Sequence, residues 1–439
     1  MGSSPPGICA GGRSCILVRL LRNRKCVEIG RQCGFVIATA TVLAWGTLQP
    51  VFVHAETRVI PSVTLSERYD TNVFNAPPNR LPPGQRTNDF ISTLGGGAQL
   101  LHTSRDVEAS LTGGADLNMF AYMNELNYLS TTAQGSAKLD GWVGRFAEGA
   151  RLSISDSFQY TPDPSAFVTA LNSQAAQDPF ARGIQGFRAK TYYNTISANG
   201  SYPVFRELTL QGGYSYSVRR LGSFIAGTAG GPAFFDVQAH RWFVGPSLKL
   251  TSEDEISLLY EQNLADQTNR STGQNLSFTT QEGYASYTRA MQGWWASLRG
   301  GVTYLEPVGM AFPTGGVNVW TNPERSTSVQ LELSRKIAPS FYFTSGANVS
   351  NVVQAQITHR FSNRLELRGS VNYSYSENVP ARTTKFESLS GVVEINYMLN
   401  RTLAANLSYR HTNFVIEQPG VPYELYRNVV AIQLTAKWE

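Results

Sequence analysis

The stretch that decides the fold is Arg206-Glu207-Leu208-Thr209-Leu210-Gln211-Gly212-Gly213-Tyr214-Ser215-Tyr216-Ser217-Val218-Arg219. Its even positions, Leu208 to Val218, are apolar, aromatic or glycine. Its odd positions, Glu207 to Arg219, are polar or glycine. Strict period two is the signature of a strand with two different faces. Strands in globular proteins average five or six residues, whereas strands that cross a bilayer at a tilt need about 9–11. The same pattern recurs in 105–118, where Val107, Ala109, Leu111, Gly113, Ala115 and Leu117 alternate with Asp106, Glu108, Ser110, Thr112, Gly114 and Asp116. It returns at Trp294–Tyr304, Thr327–Leu333 and Leu365–Tyr375. The polar partners are mostly Ser, Thr, Asn, Gln and Gly, which suits a wet lumen opposite a lipid face. A soluble sandwich would use shorter strands with more charge on the polar face. Hydrocarbon offers no partner to a free backbone group, so such a sheet has to close.

Composition agrees. Hydrophobic residues are 42%, aromatic 11% and charged only 16% of the 439 residues, against about 25% charged in soluble chains. The formal charge of +5 comes from the first 55 residues, which hold six basic groups and one acid and leave 31 of each sign in the remainder. The body therefore has no basic footprint for nucleic acid. All four cysteines, Cys9, Cys15, Cys26 and Cys33, lie in this same segment. That excludes a disulfide scaffold, a cysteine zinc site and a cysteine nucleophile from the body.

Residues 1–55 are expected to be a cleaved signal peptide. A basic stretch ends at Arg31, an apolar stretch runs from Phe35 to Leu48, and Val53-His54-Ala55 presents a peptidase site before Glu56. Residues 56–439 are expected to form one all-β domain, a transmembrane antiparallel up-and-down barrel of about 18 strands (16–20). The strands are predicted at 58–69, 90–100, 105–118, 127–139, 145–160, 187–201, 206–219, 237–250, 254–265, 275–289, 293–305, 325–337, 340–349, 351–361, 364–376, 385–399, 402–412 and 427–438. Connections after even-numbered strands are short and most of those after odd-numbered strands are long, 70–89, 161–186, 220–236 and 306–324 among them. Short periplasmic turns and longer outer loops put both termini in the periplasm. The tight connection near Ser350 breaks the alternation. Tyr214, Tyr216, Trp242, Tyr260, Tyr304, Tyr373, Tyr375 and Tyr409 are placed near long-loop ends, and Trp294, Tyr397 and Trp438 near short turns, as two interfacial girdles. The chain closes on the alternating Val430–Trp438, a segment of the kind the barrel-assembly machinery reads, with Glu439 following where the last residue is usually aromatic.

The body starts Val59-Ile60-Pro61-Ser62-Val63-Thr64-Leu65-Ser66-Glu67-Arg68-Tyr69-Asp70-Thr71-Asn72-Val73-Phe74, followed by Arg86-Thr87-Asn88-Asp89-Phe90. An extended Pro61-Ser62 strand, then Tyr69-Asp70-x-Asn72-Val73-Phe74, then a polar loop closing on Asp89 resembles the putative β-barrel porin-2 family. The resemblance implies an outer-membrane barrel and a setting among exopolysaccharide and exosortase-type loci, with polysaccharide or export components as partners beside membrane lipid. From the residues alone, Asp70 and Asn72 are expected to bond nearby backbone amides at the strand exit; a calcium or ligand site is the alternative there.

Nothing in the sequence assembles an enzyme, and no cofactor or metal site is expected. His102 is read in a short turn, and His240, His359 and His411 on the lipid register. Ser408 beside His411 lies on the opposite register, so no catalytic pair forms. Glycine runs at 95–97 and 113–114 are read as close packing. The lumen is expected to carry Arg151, Arg219, Arg241, Arg299, Arg368 and Arg410 against Glu108, Asp116, Glu261 and Glu332. These either cross-link and narrow the bore or line a path for a polar polymer. A pore or export-associated channel for polar solutes is the first expectation, a non-conducting structural barrel the second and an outer-membrane hydrolase the third.

Overall fold

Eighteen antiparallel strands follow one another round a single sheet, and β1 pairs with both β2 and β18, which closes it. The computed structural model describes residues 55–77, 81–162, 189–224, 235–269, 272–306, 308–339, 347–417 and 423–438. The leader reading falls on residues outside these, as do most of the predicted outer loop 161–186 and residues 340–346. The strands are β1 (Glu56–Asp70), β2 (Asp89–Thr103), β3 (Glu108–Phe120), β4 (Tyr128–Lys138), β5 (Arg151–Thr161), β6 (Ala189–Pro203), β7 (Leu208–Phe224), β8 (Phe235–Lys249), β9 (Asp254–Asn269), β10 (Asn275–Met291), β11 (Trp294–Glu306), β12 (Met310–Thr321), β13 (Thr327–Pro339), β14 (Ala347–Arg360), β15 (Leu365–Val379), β16 (Lys385–Met398), β17 (Leu403–Glu417) and β18 (Tyr423–Lys437). The expected all-β barrel and its strand number hold.

Two strand assignments change. Residues 306–324, expected as a long loop, contain β12. Its Pro313 lacks an N–H, and the β12–β13 ladder starts only at Gly315, whereas the ladder to β11 runs through Pro313 opposite Val302. The missing donor therefore falls where no partner strand needs it. Gly315 and Gly316 read as breakers, yet a Cβ on either would stand 2.7 Å from a neighbouring carbonyl oxygen, so close strand approach requires them. Conversely, Ala347–Val349 belong to β14, which runs unbroken through Ser350. The expected strand at 340–349 and the tight connection near Ser350 are thus replaced by one strand, and the alternation of turn sides becomes regular. The strand expected from 145 starts at Arg151. A short helix, α1 (Asp140–Val143), precedes it, and the Asp140 carboxylate accepts from the Leu152 amide at 3.0 Å. Trp142 of α1 and Phe146 just after it are exposed and meet edge to face at 5.7 Å, a fitting anchor for the periplasmic interface.

The outward face carries an apolar belt: Leu65, Leu94, Leu117, Leu258, Leu298, Val302, Val353, Val371, Val393 and Ile432 are all exposed. In β7–β9 the aromatic girdle sits lower than expected. Tyr214, Trp242 and Tyr260 lie mid-strand, and the strands continue to Phe224, Phe235 and Asn269. Above that level the polarity inverts. In β8, Trp242 at the girdle and Val244 and Leu248 below it point outward. Above it the outward positions are Asp236, Gln238 and His240, while Phe235, Val237 and Ala239 point inward and are buried. In β17, Phe414 and Ile416 turn inward while Asn413 and Glu417 turn out. The strands thus rise beyond the hydrocarbon into a neck with water outside and an apolar interior.

Candidate functional site

The inner wall has three levels. The upper one is the neck, where Leu221, Phe235, Val237, Phe278, Leu305, Phe312, Phe386, Phe414, Ile416 and Leu425 belong to one apolar cluster spanning β7 to β18. A second cluster continues it over the first outer loop and β2–β3, with Val73, Phe74, Ile91, Phe120, Met123 and Leu126. Each of these side chains is less than 9% exposed. Together the two clusters line the upper end of the barrel with buried apolar side chains.

The residues that carried the resemblance in the sequence run along the β1–β18 seam. Pro61 accepts from the Trp438 amide at 3.2 Å, and Ser62, the next residue, starts the ladder opposite Lys437. At the other end Asp70 is wholly buried and bound by Arg427, with Nη2 2.6 Å from Oδ2 and Nε 3.1 Å from both oxygens. Asp70 Oδ1 also accepts from the Asn72 amide at 3.0 Å. The Asn72 side chain closes a ring with Ala76, donating to its carbonyl at 2.9 Å and accepting from its amide at 3.2 Å. Thr71 exchanges two bonds with Asn428 of β18. The Tyr69 hydroxyl accepts from Asn88 at 2.8 Å. The motif is a clasp that carries the seam past the last strand pair and drops Val73 and Phe74 into the apolar interior. Both Asp70 oxygens are engaged, and no cluster of three or more metal-ligating side chains occurs among the described residues.

The middle level holds charge. Glu261 of β9 and Glu282 of β10 stand opposite each other in register. Arg241 grips Glu261 through two bonds of 2.7 and 2.8 Å. Arg299 donates to Glu282 at 2.6 Å, lies over the Tyr284 ring at 3.4 Å, and shares Glu282 with the Thr314 hydroxyl at 2.8 Å. The order +, −, −, + across β8 to β11 lets each carboxylate meet its own arginine. Arg219 is buried on β7. Asp116 faces Gly95, where any Cβ would collide with its carboxylate.

The lower level is polar. Arg151 and Lys138 are exposed; Lys138 reaches Glu108 at 3.1 Å, and Arg368 lies 3.3 Å from Glu366 and 3.9 Å from Glu394. Glu332 sits in register between Asn318 and Gln354, and Arg410 opposite Val392. Arg241, Glu261, Arg299 and Glu332 occupy the strand face opposite the exposed apolar residues Val244, Leu258, Leu298 and Val329. The structure joins Arg241 with Glu261, Glu108 with Lys138, Arg299 with Glu282 and Arg368 with Glu366. Glu282, Tyr284 and the inward tryptophans Trp295 and Trp320 went unread, although their period-two positions carried the signal. His102 is not in a turn; it lies on β2 with Nδ1 2.9 Å from the Thr57 hydroxyl. His411 faces outward against Asn428 at 2.8 Å, on the register opposite Ser408.

Residues 311–438 match the family described as "Putative beta-barrel porin 2". This is the family that the resemblance implied, matched over the C-terminal strands β12–β18 and not over 59–90. With a closed barrel, an apolar outer belt and this match, the chain is a porin-like β-barrel of the bacterial outer membrane. No curated protein matches it. Similar solved structures include the outer membrane protein OpdK of Pseudomonas aeruginosa, 11% identical over 87% of this chain and 99% of that one at a TM-score of 0.43. OccAB3 of Acinetobacter baumannii is 12% identical over 87% and 99%, at 0.43. A BenF-like porin from Pseudomonas fluorescens is 12% identical over 88% and 100%, at 0.42.

Proposed function

We propose that this barrel is a non-enzymatic channel for polar solutes whose resting state is held shut by the apolar neck. The observation that carries the reading is the contrast along the inner wall: amides, hydroxyls and paired charges below, a dry aromatic ring above. A polar lower lumen wets readily, and a hydrophobic constriction above it sets the barrier. The family resemblance supplies the expected setting, passage of exopolysaccharide during export, with the assembly machinery engaging β18 and residues 1–55 removed as a leader.

The burial of the neck also favours a second reading, a structural barrel that never conducts. Refolded protein in a planar bilayer separates the two. The channel reading expects low wild-type conductance with rare openings, and a large rise when Phe386 and Phe414 are both replaced by serine. A folded double variant that stays silent at every voltage would leave the structural barrel standing.

A further inference from the structure

We propose that the inner wall of β11–β16 holds a binding subsite for a neutral oligosaccharide. The proposal rests on the channel reading for its setting and names the solute class. Two independent features meet on this wall.

The first is a shelf of unsatisfied polar atoms. Gln354, Asn372 and Ser390 stand in one register row across β14, β15 and β16. Ser374 and Ser388 form the adjoining pair. All five side chains are more than nine-tenths buried. Yet Gln354 Nε2, Asn372 Oδ1 and the three serine hydroxyls have no hydrogen-bond partner. Each such atom costs about 1–3 kcal/mol when left dry. Five on one patch of wall therefore mark a place meant to be filled by hydroxyl-bearing matter, solute or water.

The second is an aromatic platform. Trp295 of β11 and Trp320 of β12 oppose each other in register, with ring centroids 6.2 Å apart and planes 17° from parallel. At that offset much of each indole face is left uncovered by its neighbour. Both lie on the inward register, since Trp294 is the outward residue of the strand start, and both are only part-buried. The C–H face of a pyranose ring stacks on such a surface while its rim hydroxyls turn to amides and carboxylates. Asn318, two residues from Trp320 on the same face, is exposed and begins the row that passes through Glu332 to Gln354. Six strands at about 4.8 Å spacing make the wall roughly 24 Å wide, room for several linked rings.

The charge of the row selects the solute. Apart from Glu332, whose side chain already has an interaction of its own, its members are neutral amides and hydroxyls. A planar aromatic acid would stack on the tryptophans but bring a charge that these amides and hydroxyls do not neutralise, whereas a neutral sugar offers them hydroxyl donors and acceptors.

Tryptophan fluorescence of the folded protein in detergent tests this without any need for conduction. A panel of neutral hexaoses built from glucose, mannose, galactose and N-acetylglucosamine, with benzoate as the charged planar control, supplies the probes. At least one hexaose is expected to shift the emission with a millimolar midpoint, about 4 kcal/mol of binding. Trp294→Phe should retain that shift. Trp295→Phe with Trp320→Leu should abolish binding measured by calorimetry, and Asn372→Leu should weaken it at least tenfold. Heat-shifted gel mobility reports that each variant is folded. The proposal is overturned if no hexaose binds, if benzoate binds in preference, or if Asn372→Leu raises thermal stability and leaves binding intact, the outcome of a shelf that holds only water. Binding by a barrel that never conducts would overturn the channel reading and leave the subsite standing.

Discussion

The lower and upper halves of the same strands solve opposite problems. Below the tyrosine girdle, Leu298 and Val302 of β11 face outward and Arg299 faces in. Above it, Leu305 of the same strand faces in, while Glu306 is exposed. The backbone alternation never changes; the solvent outside does. Lipid wants the apolar residue out, and water wants it in. The level at which the phase inverts therefore marks the outer membrane surface, and it makes the neck a small hydrophobic core built on a transmembrane wall.

That contrast can be broken at its apolar end first. Phe414→Ala removes a ring that is 3% exposed, and truncations of this kind cost about 3–5 kcal/mol. Urea unfolding in lipid vesicles should show the loss in the neck while the belt keeps its heat-shifted mobility. Equal loss of both halves would mean that the neck is no separate core.

The seam clasp tests whether the neck's closure is electrostatic as well. Arg427→Met strands Asp70, whose side chain is 1% exposed. Breaking one side of a buried pair costs about 3–5 kcal/mol. The Asp70→Asn, Arg427→Met pair should recover most of that in the same unfolding assay. Failure of the double variant to recover would show that the clasp works through its Asn72 and Thr71 bonds.

A smaller effect sharpens the boundary itself. Leu298→Arg places a charge in the belt and should cost about 2–4 kcal/mol. Gln238→Arg, outward on the neck, should cost within about 0.5 kcal/mol of zero. Comparable penalties would put hydrocarbon around both and erase the proposed surface level.

How much of this was legible beforehand differs by feature. The barrel and its eighteen strands were, but the count survived two offsetting errors. β12 was hidden by Pro313 and Gly315-Gly316, whose effect on a strand depends on which neighbour pairs with them. A strand was read at 340–349 where β14 begins at Ala347. The inward register of Arg241, Glu261, Arg299 and Glu332 was legible because alternation alone sets the face. Which partner each charge takes was not, because Glu282 reaches Arg299 only through the register of β10 on β11.

By itself the sequence determined the period of its segments, the scarcity of charge and the need for a closed sheet, because these follow from local alternation and from a backbone that lipid cannot satisfy. Only the tertiary structure decided where along each strand water replaces lipid, which carboxylate meets which arginine, and that five polar groups from three strands share one patch without partners. Those facts depend on the stagger between strands, and stagger is fixed by the whole ring at once rather than by any segment in it.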